Sequence, residues 1–464
     1  MSEMRPVATE YRGQTALVVG AARSGVAAAE FLITRGAQVV LTDVRGEEEL
    51  APSLAPLRAR PLAAGKLCLE LGGHRPESFR ACDFVVVSPG VPLALPMFES
   101  SRKAGIPVLA EVELAFRHIR GKILGITGSN GKTTTTALVT ELLRGAGLRG
   151  YAAGNIGWPL IGFVETSTPD DLYVVELSSF QLEAILQFRP LVGAILNLTP
   201  DHLDRYRDLA DYIGAKQRIF MNQTRSDFAV LNRDDPRTAA LAGKVCAAPV
   251  LFSRHGEVVH GTCLQAGRLV FRDHGKETDL FAAEGVRLKG SHNLENTLAA
   301  AAIALLAGAA PGSLGEVVRA FTGVEHRLEW VAEIDGVQYF NDSKATNVDA
   351  TVKSLEAFPG NILLIAGGKD KGGDFTSLRL LVAQRVKHLI LLGEAAGKIR
   401  EALSGIVETS DAASLPEAVL LAGRSAAPGD IVLLAPACAS LDMFQDYEHR
   451  GRVFKETVRG MMPR

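Results

Sequence analysis

The stretch Lys122-Ile-Leu-Gly-Ile-Thr-Gly-Ser-Asn-Gly-Lys-Thr-Thr134 decides how the rest of the 464-residue chain is read. The β-branched run Ile123 to Thr127 predicts a buried strand. Gly128, Ser129, Asn130 and Gly131 break it. Lys132 and Thr133 follow, and Ala137, Leu138, Thr140, Leu142 and Leu143 recur at helical spacing. Strand, glycine-rich turn, Gly-Lys-Thr and helix together predict a phosphate cradle. Backbone N–H groups and the positive helix N-terminus face the anion, Lys132 reaches the distal phosphates, and the Thr133 hydroxyl can ligate Mg²⁺. The spacing departs from the usual loop, because the position five before Gly131 is Ile126 and the glycines sit at 125, 128 and 131. A glycine-rich turn with an incidental lysine is disfavoured, since all the parts occur in the required order.

Length and composition bound the answer. At roughly 100–200 residues per domain the chain holds two to four domains. Fifty Lys+Arg against 52 Asp+Glu leave no basic stripe for nucleic acid and no polybasic segment for a membrane surface. Met-Ser-Glu-Met-Arg-Pro has no apolar core, so it reads as no signal peptide. The longest apolar run, Leu298 to Ala310, is broken by Gly308 and is shorter than the ~20 residues of a bilayer span. Five cysteines (Cys68, Cys82, Cys246, Cys263, Cys438) are scattered without Cys-x-x-Cys spacing. Reduced thiols in a soluble cytoplasmic protein are the expectation, with no membrane insertion.

Upstream of the cradle, Thr15 to Gly20 predicts a strand, Ser24 to Arg35 a helix, and Gln38 to Thr42 a second strand followed by Asp43. The turn reads Gly20-Ala-Ala-Arg-Ser-Gly25, so Ala22 replaces the middle glycine of a dinucleotide fingerprint. Ala22 disfavours a nicotinamide oxidoreductase and leaves room for a nucleotide-sugar site. Phe84 to Val87 is another strand, ending in Ser88-Pro-Gly90. A solvated pair remains the alternative for Asp43 and Arg45. Pro107 and an acidic helix start at Glu111 mark the first boundary.

Downstream, Leu172 to Glu176 is an apolar strand ending in a carboxylate, the expected Mg²⁺ partner beside a phosphate loop. Leu191 to Asn197 is a third such strand, running into Asp201-His202-Leu-Asp204-Arg-Tyr206. The helix from Leu209 to Asn222 places Lys216 near its apolar face, where a snorkelling stem is the plain alternative. Phe228 to Val286 reads as short strands in an antiparallel edge. Asn293 and Asn296 share one helix face, and capping explains Asn293 as well as ligand contact does. A third α/β module begins near Gly323. Its strand ends carry Asp342/Lys344, Lys371 and Ser440.

Gly-Ser-Asn-Gly-Lys-Thr-Thr134, the Glu176 strand end, Asn155 in Gly-Asn-Ile-Gly157, the Asp-His-Leu-Asp-Arg-Tyr206 cluster, Lys216, His-Asn-x-x-Asn296, Glu-His-Arg327 and Asn-Asp-Ser-Lys-Ala-Thr-Asn347 resemble the Mur ligases of bacterial cell-wall synthesis. Folylpolyglutamate synthases share part of the set. Ser-Pro-Gly90, Gly-Gly-Lys-Asp-Lys371 and Cys-Ala-Ser-Leu-Asp-Met-Phe444 are most similar to the branch that adds D-glutamate.

The resemblance implies three α/β domains: a Rossmann-like domain over 1–111, a central P-loop ATPase-like domain with a mostly parallel sheet over 112–322, and a C-terminal Rossmann-like domain over 323–464. It implies an ATP-dependent amide ligase acting on UDP-N-acetylmuramoyl-L-alanine and D-glutamate through an acyl phosphate. It further implies a monomer working on small molecules. Ser24, Asp43, Arg45, Gly90 and Asn155 would hold the UDP substrate. Gly128, Asn130, Gly131, Lys132, Thr133, Thr134, Asn296, Arg327 and Asp342 would bind ATP. Thr133 and Glu176 would hold one Mg²⁺, and His202 and Lys216 a second, with Lys216 carrying a carbamate. Lys132, His202, Lys216 and Lys344 would be the catalytic set. Thr346, Lys371, Ser440 and Tyr447 would position D-glutamate, and Tyr447 stands where the family often has Phe. A different amine acceptor and a non-catalytic nucleotide-binding switch are the alternatives.

Overall fold

The computed structural model describes residues 11–59, 66–199, 205–288, 290–370 and 372–462. They form three sheets. The first two belong to one compact unit and the third to another, the division falling near Arg319 and Ala320.

The first sheet is all parallel: β1 (Thr15–Val19), β2 (Gln38–Asp43), β3 (Leu67–Leu71), β4 (Phe84–Val87) and β5 (Val108–Ala110), in the order β3-β2-β1-β4-β5. Runs such as Phe84-Val-Val-Val87 are buried along their whole length, as a sheet covered on both faces requires. Strand order reverses between β1 and β4. Their following loops therefore part and leave a crevice at the carboxyl ends. The helix Arg23–Thr34 starts in that crevice. An added Cβ at Gly25 would lie 1.8 Å from the Gly20 carbonyl oxygen, so only glycine permits this approach.

The second sheet contains β6 (Lys122–Thr127), β7 (Arg149–Gly154), β8 (Asp171–Glu176), β9 (Val192–Ile195), β10 (Phe228–Asn232), β11 (Ala248–Ser253), β12 (His260–Gln265), β13 (Arg268–Asp273) and β14 (Lys276–Ala282), in the order β14-β13-β12-β11-β10-β9-β6-β8-β7. The cradle strand β6 lies between β8 and β9, so three strand ends meet at the loop. The antiparallel edge expected over Phe228 to Val286 is confined to β12, β13 and β14. Strands β10 and β11 join in parallel. The segment between them carries a short helix, Pro236–Ala239, capped by Asp235, which makes it a crossover instead of a hairpin.

The third sheet comprises β15 (Glu329–Ile334), β16 (Val337–Asn341), β17 (Ile362–Gly367), β18 (Val386–Leu392), β19 (Glu408–Asp411) and β20 (Ile431–Leu434), in the order β15-β16-β20-β17-β18-β19. Only β15 is antiparallel, turned back through Asp335 and Gly336, both at positive φ.

Within the first unit, the acidic helix start after Pro107 is buried. Val108–Ala110 closes the first sheet, and the helix Glu111–Phe116 buries its acids. One Glu113 oxygen accepts the consecutive N–H groups of Leu186, Gln187 and Phe188 at 2.9, 3.0 and 2.8 Å. Its other oxygen pairs with Arg117 at 2.8 Å. Glu111 accepts the Ile161 N–H at 2.7 Å with one oxygen, while the other is buried with no partner among the described residues. Burial pushes the Glu111 carboxyl up to about 7.

Candidate active site

The phosphate loop is shaped by backbone that only glycine adopts cheaply. Gly131 has φ +83°, and a Cβ there would meet the Asn296 side-chain oxygen at 2.2 Å. Asn296 lies on the helix Ser291–Leu306 and is held by Asn293 at 3.0 Å, so Asn293 braces its neighbour on the same face. The loop tip is clamped by Asn197 at the end of β9. Its side chain accepts from the Asn130 N–H at 2.8 Å and donates to the Asn130 carbonyl at 3.1 Å. Asn197 was missed as a functional residue, although a polar residue closing an apolar strand beside a P-loop is a usable signal.

The Lys132 ammonium donates to the carbonyls of Gly128 and Ser129 at 2.8 and 2.7 Å. Lys216 is buried and reaches the same loop. Its ammonium lies 2.8 Å from the Gly128 carbonyl, 3.4 Å from the Thr127 hydroxyl and 4.7 Å from the centre of the Tyr212 ring. The snorkelling alternative for Lys216 therefore fails, because its charged end faces inward. Thr133 and Thr134 are buried in the first turn of the helix Lys132–Gly145. Glu176 ends β8 in the buried interior. One of its oxygens accepts from the Asn155 amide at 2.9 Å, and the other is buried without a partner among the described residues. A desolvated carboxylate oxygen left open beside a phosphate loop is suited to a hard cation. His202 lies outside the described residues.

A cleft of about 580 Å³ opens at the carboxyl ends of β1 and β4. Ser24, Asp43, Arg45, Gly90 and Asn155 all line it, so five residues from distant parts of the sequence line one cleft. Asp43 is a scaffold as well as a lining group. It accepts from the Ala21 N–H at 2.7 Å, the Arg45 N–H at 3.0 Å and the Arg45 guanidinium at 3.0–3.1 Å. Burial opposes its charge, but these bonds outweigh burial and lower the carboxyl to about 2. His74 also lines the cleft and bonds the Thr42 hydroxyl at 2.9 Å; burial lowers its pKa. Sequence reading gave His74 no role, because it lies beyond a strand, β3, that carried no recognised motif.

In the other unit, Asp342 follows β16 and is buried against the Ser354 hydroxyl at 2.6 Å. Burial pushes it up to about 6, against that bond and the charges of Arg327 and Lys344. The Lys344 ammonium lies 5.6 Å from the centre of the Tyr447 ring. The Tyr447 hydroxyl donates to Glu448 at 3.1 Å. The Thr346 N–H donates to the Lys344 carbonyl at 2.8 Å, and Ser440 is buried in the loop after β20. Lys371 lies outside the described residues.

Arg450 joins the loops that carry these groups. It is 2 % exposed and donates to the Ser343 hydroxyl and carbonyl at 3.0 and 2.9 Å and to the Cys438 carbonyl at 3.2 Å. It was not singled out in the sequence. Its recurrence with Tyr447, Phe454 and Val458 on one face of the helix Tyr447–Gly460 would have marked it as inward-facing.

Three family models match consecutive stretches: the Mur ligase MurD-like N-terminal domain over 14–110, the Mur ligase middle domain over 126–304, and the Mur ligase glutamate ligase domain over 326–438. The chain belongs to the Mur ligase family. Among Mur ligases it is similar to the UDP-N-acetylmuramoylalanine–D-glutamate ligase of Koribacter versatilis, 47% identical over 97% of this chain and 98% of that one. The enzyme of the same name from Acidobacterium capsulatum is 49% identical over 97% of both. Solved Mur ligase structures share the fold at low identity. UDP-N-acetylmuramate–alanine ligase from Thermotoga maritima aligns over 97% of this chain and 100% of its own at 19% identity and TM-score 0.58. A pseudomurein peptide ligase type C from Methanothermus fervidus aligns over the same shares at 18% and 0.57. No helix among the described residues is long and apolar enough to cross a membrane.

Proposed function

We propose that this Mur ligase is an ATP-dependent ligase that joins D-glutamate to UDP-N-acetylmuramoyl-L-alanine, releasing ADP and phosphate in peptidoglycan precursor synthesis. The observation that carries this reading is the position of Asn155. It lines the cleft suited to the UDP substrate and also bonds Glu176, the carboxylate beside the phosphate loop. A substrate seated in the cleft by Ser24, Asp43, Arg45, Gly90 and Asn155 would thus bring its far end toward the triphosphate.

The reaction follows from that placement. An oxygen of the L-alanine carboxylate attacks the γ-phosphorus, and the bond to ADP breaks. The D-glutamate amine then adds to the carbonyl of the acyl phosphate, loses its proton, and phosphate leaves with the carboxylate oxygen it gained. Lys132 neutralises the phosphates, while Gly128, Asn130, Gly131 and Thr134 present backbone and hydroxyl donors. The remaining catalysis is positioning. Asn296, Arg327 and Asp342 are assigned to ATP, Lys344 to the reacting phosphoryl group, and Thr346, Lys371, Ser440 and Tyr447 to D-glutamate.

Thr133 and Glu176 suit one Mg²⁺, and His202 with Lys216 a second. Bound there, these ions would supply charge neutralisation of the phosphates. Lys216 would serve as a metal ligand only as a carbamate, which replaces its positive charge with acceptor oxygens. As an acceptor it would release the Gly128 carbonyl. The test is phosphate release with ATP, Mg²⁺ and UDP-N-acetylmuramoyl-L-alanine against a panel of D- and L-amino acids. D-Glutamate alone should support turnover; equal turnover with L-alanine or L-glutamate would refute the assignment.

A further inference from the structure

The antiparallel edge of the second sheet carries a group of residues that the ligase reaction does not use. His260 opens β12 and stands directly across from Asp273, the last residue of β13. The next residue, His274, begins the two-residue turn into β14 with φ +45°, and Gly275 follows at φ +99°. Positive φ at both positions is the geometry for which Asn-Gly is favoured. Histidine is among the few non-glycine residues enriched at positive φ, so the turn holds His274 at this place without a large penalty.

The turn brings the His274 ring alongside that of His260, with centres 5.3 Å apart and planes 20° from parallel. His260 Nδ1 also lies 3.0 Å from an Asp273 carboxylate oxygen, and its ring packs edge-on to Phe271 at 5.7 Å. One donor atom from each of His260, Asp273 and His274 falls within 4.8 Å of the other two. Two imidazoles and one carboxylate are the ligand types that zinc-like cations select over Mg²⁺, at distances of about 2.0–2.2 Å. Asp273 and His274 are exposed and can rotate to close that shell, while Phe271 and the strand pairing hold His260 in place.

We propose that His260, Asp273 and His274 form a site for one divalent transition-metal cation of the zinc class, which clips the β13–β14 turn to the start of β12. The site is separate from the Mg²⁺-dependent chemistry, since three strands (β11, β10 and β9) stand between β12 and the phosphate-loop strand β6.

The test titrates Zn²⁺ into the full-length, zinc-stripped protein held in excess Mg²⁺, comparing wild type with His274→Asn and Asp273→Asn. His274→Asn removes a ligand while installing the residue the turn prefers, so folding is retained. The expected result is one equivalent of Zn²⁺ bound by wild type and raising its melting temperature. Each variant should lose roughly tenfold or more in affinity, and zinc-free amide synthesis by His274→Asn in Mg²⁺ and ATP should match that of zinc-free wild type. Absence of Zn²⁺ binding to wild type, or wild-type affinity in both variants, would overturn the proposal.

Discussion

The ammonium groups of Lys132 and Lys216 donate to one and the same acceptor, the carbonyl oxygen of Gly128, each at 2.8 Å. Two like charges converging on one backbone dipole repel each other. An arriving polyphosphate relieves that repulsion through Lys132, and carbamylation of Lys216 would relieve it by removing a cation. The loop is thus charged for an anion before any nucleotide binds.

Replacing Lys132 with Met should lower the rate of phosphate release by about 10²–10³-fold, the scale for one lost donor to a developing charge. Lys216→Ala should be comparably slow but regain activity with added formate or acetate, which substitutes for carbamate oxygens. Steady-state assays with and without the carboxylate decide this. Full activity in plain Lys216→Ala would remove the carbamate role.

Glu176→Gln separates stability from function. The Gln keeps an oxygen for Asn155 but replaces the open carboxylate oxygen with an amide N–H₂. Removing an uncompensated buried charge should leave the melting temperature equal or higher. Mg²⁺ titrations of activity should need much more metal, because a neutral amide is a poor ligand for a hard cation.

Glu111 sets a pH dependence of stability. Its folded-state pKa of about 7 stands above the ordinary 4.5. The folded chain therefore holds the proton longer than the unfolded one, and stability is lost as pH rises from 4.5 through 7. The full loss is about 3 kcal/mol. Glu111→Gln should reduce this slope by that amount, leaving the smaller part due to Asp342, and be the more stable form at pH 8. Urea midpoints of both proteins at pH 5 and pH 8 measure it.

Arg450→Met would leave the carbonyls of Ser343 and Cys438 and the Ser343 hydroxyl without their buried donor. A stability cost of about 3–5 kcal/mol is expected. Arg450→Lys, which keeps the charge without the planar fork, should retain the fold and raise the KM for the amino acid more than that for ATP. Equal changes in both KM values would mean a purely structural role.

The central strands and their chemistry were legible because they are apolar runs closed by a polar residue: Thr127 into the glycines, Val175 into Glu176, Phe340 into Asn341 and Asp342. Such runs signal burial on both faces, and the polar closure marks the carboxyl end. Less legible were strands with mixed faces. Leu67–Leu71 is an edge strand with only Glu70 buried, and Glu408–Asp411 has no apolar residue. The direction of β10 and β11 was misjudged because pairing sense depends on the crossover, not on strand composition. Contacts distant in sequence, such as Asn155 with Glu176 or Arg450 with Ser343, follow from topology and leave no local pattern.

The most direct test of the chemistry uses UDP-N-acetylmuramoyl-L-alanine with both oxygens of its carboxylate replaced by ¹⁸O. Single-turnover reaction with ATP, Mg²⁺ and D-glutamate, followed by mass spectrometry of the released phosphate, should find one ¹⁸O in each phosphate. Unlabelled phosphate would mean that water, not the L-alanine carboxylate, receives the γ-phosphoryl group, and the ligase mechanism would be contradicted.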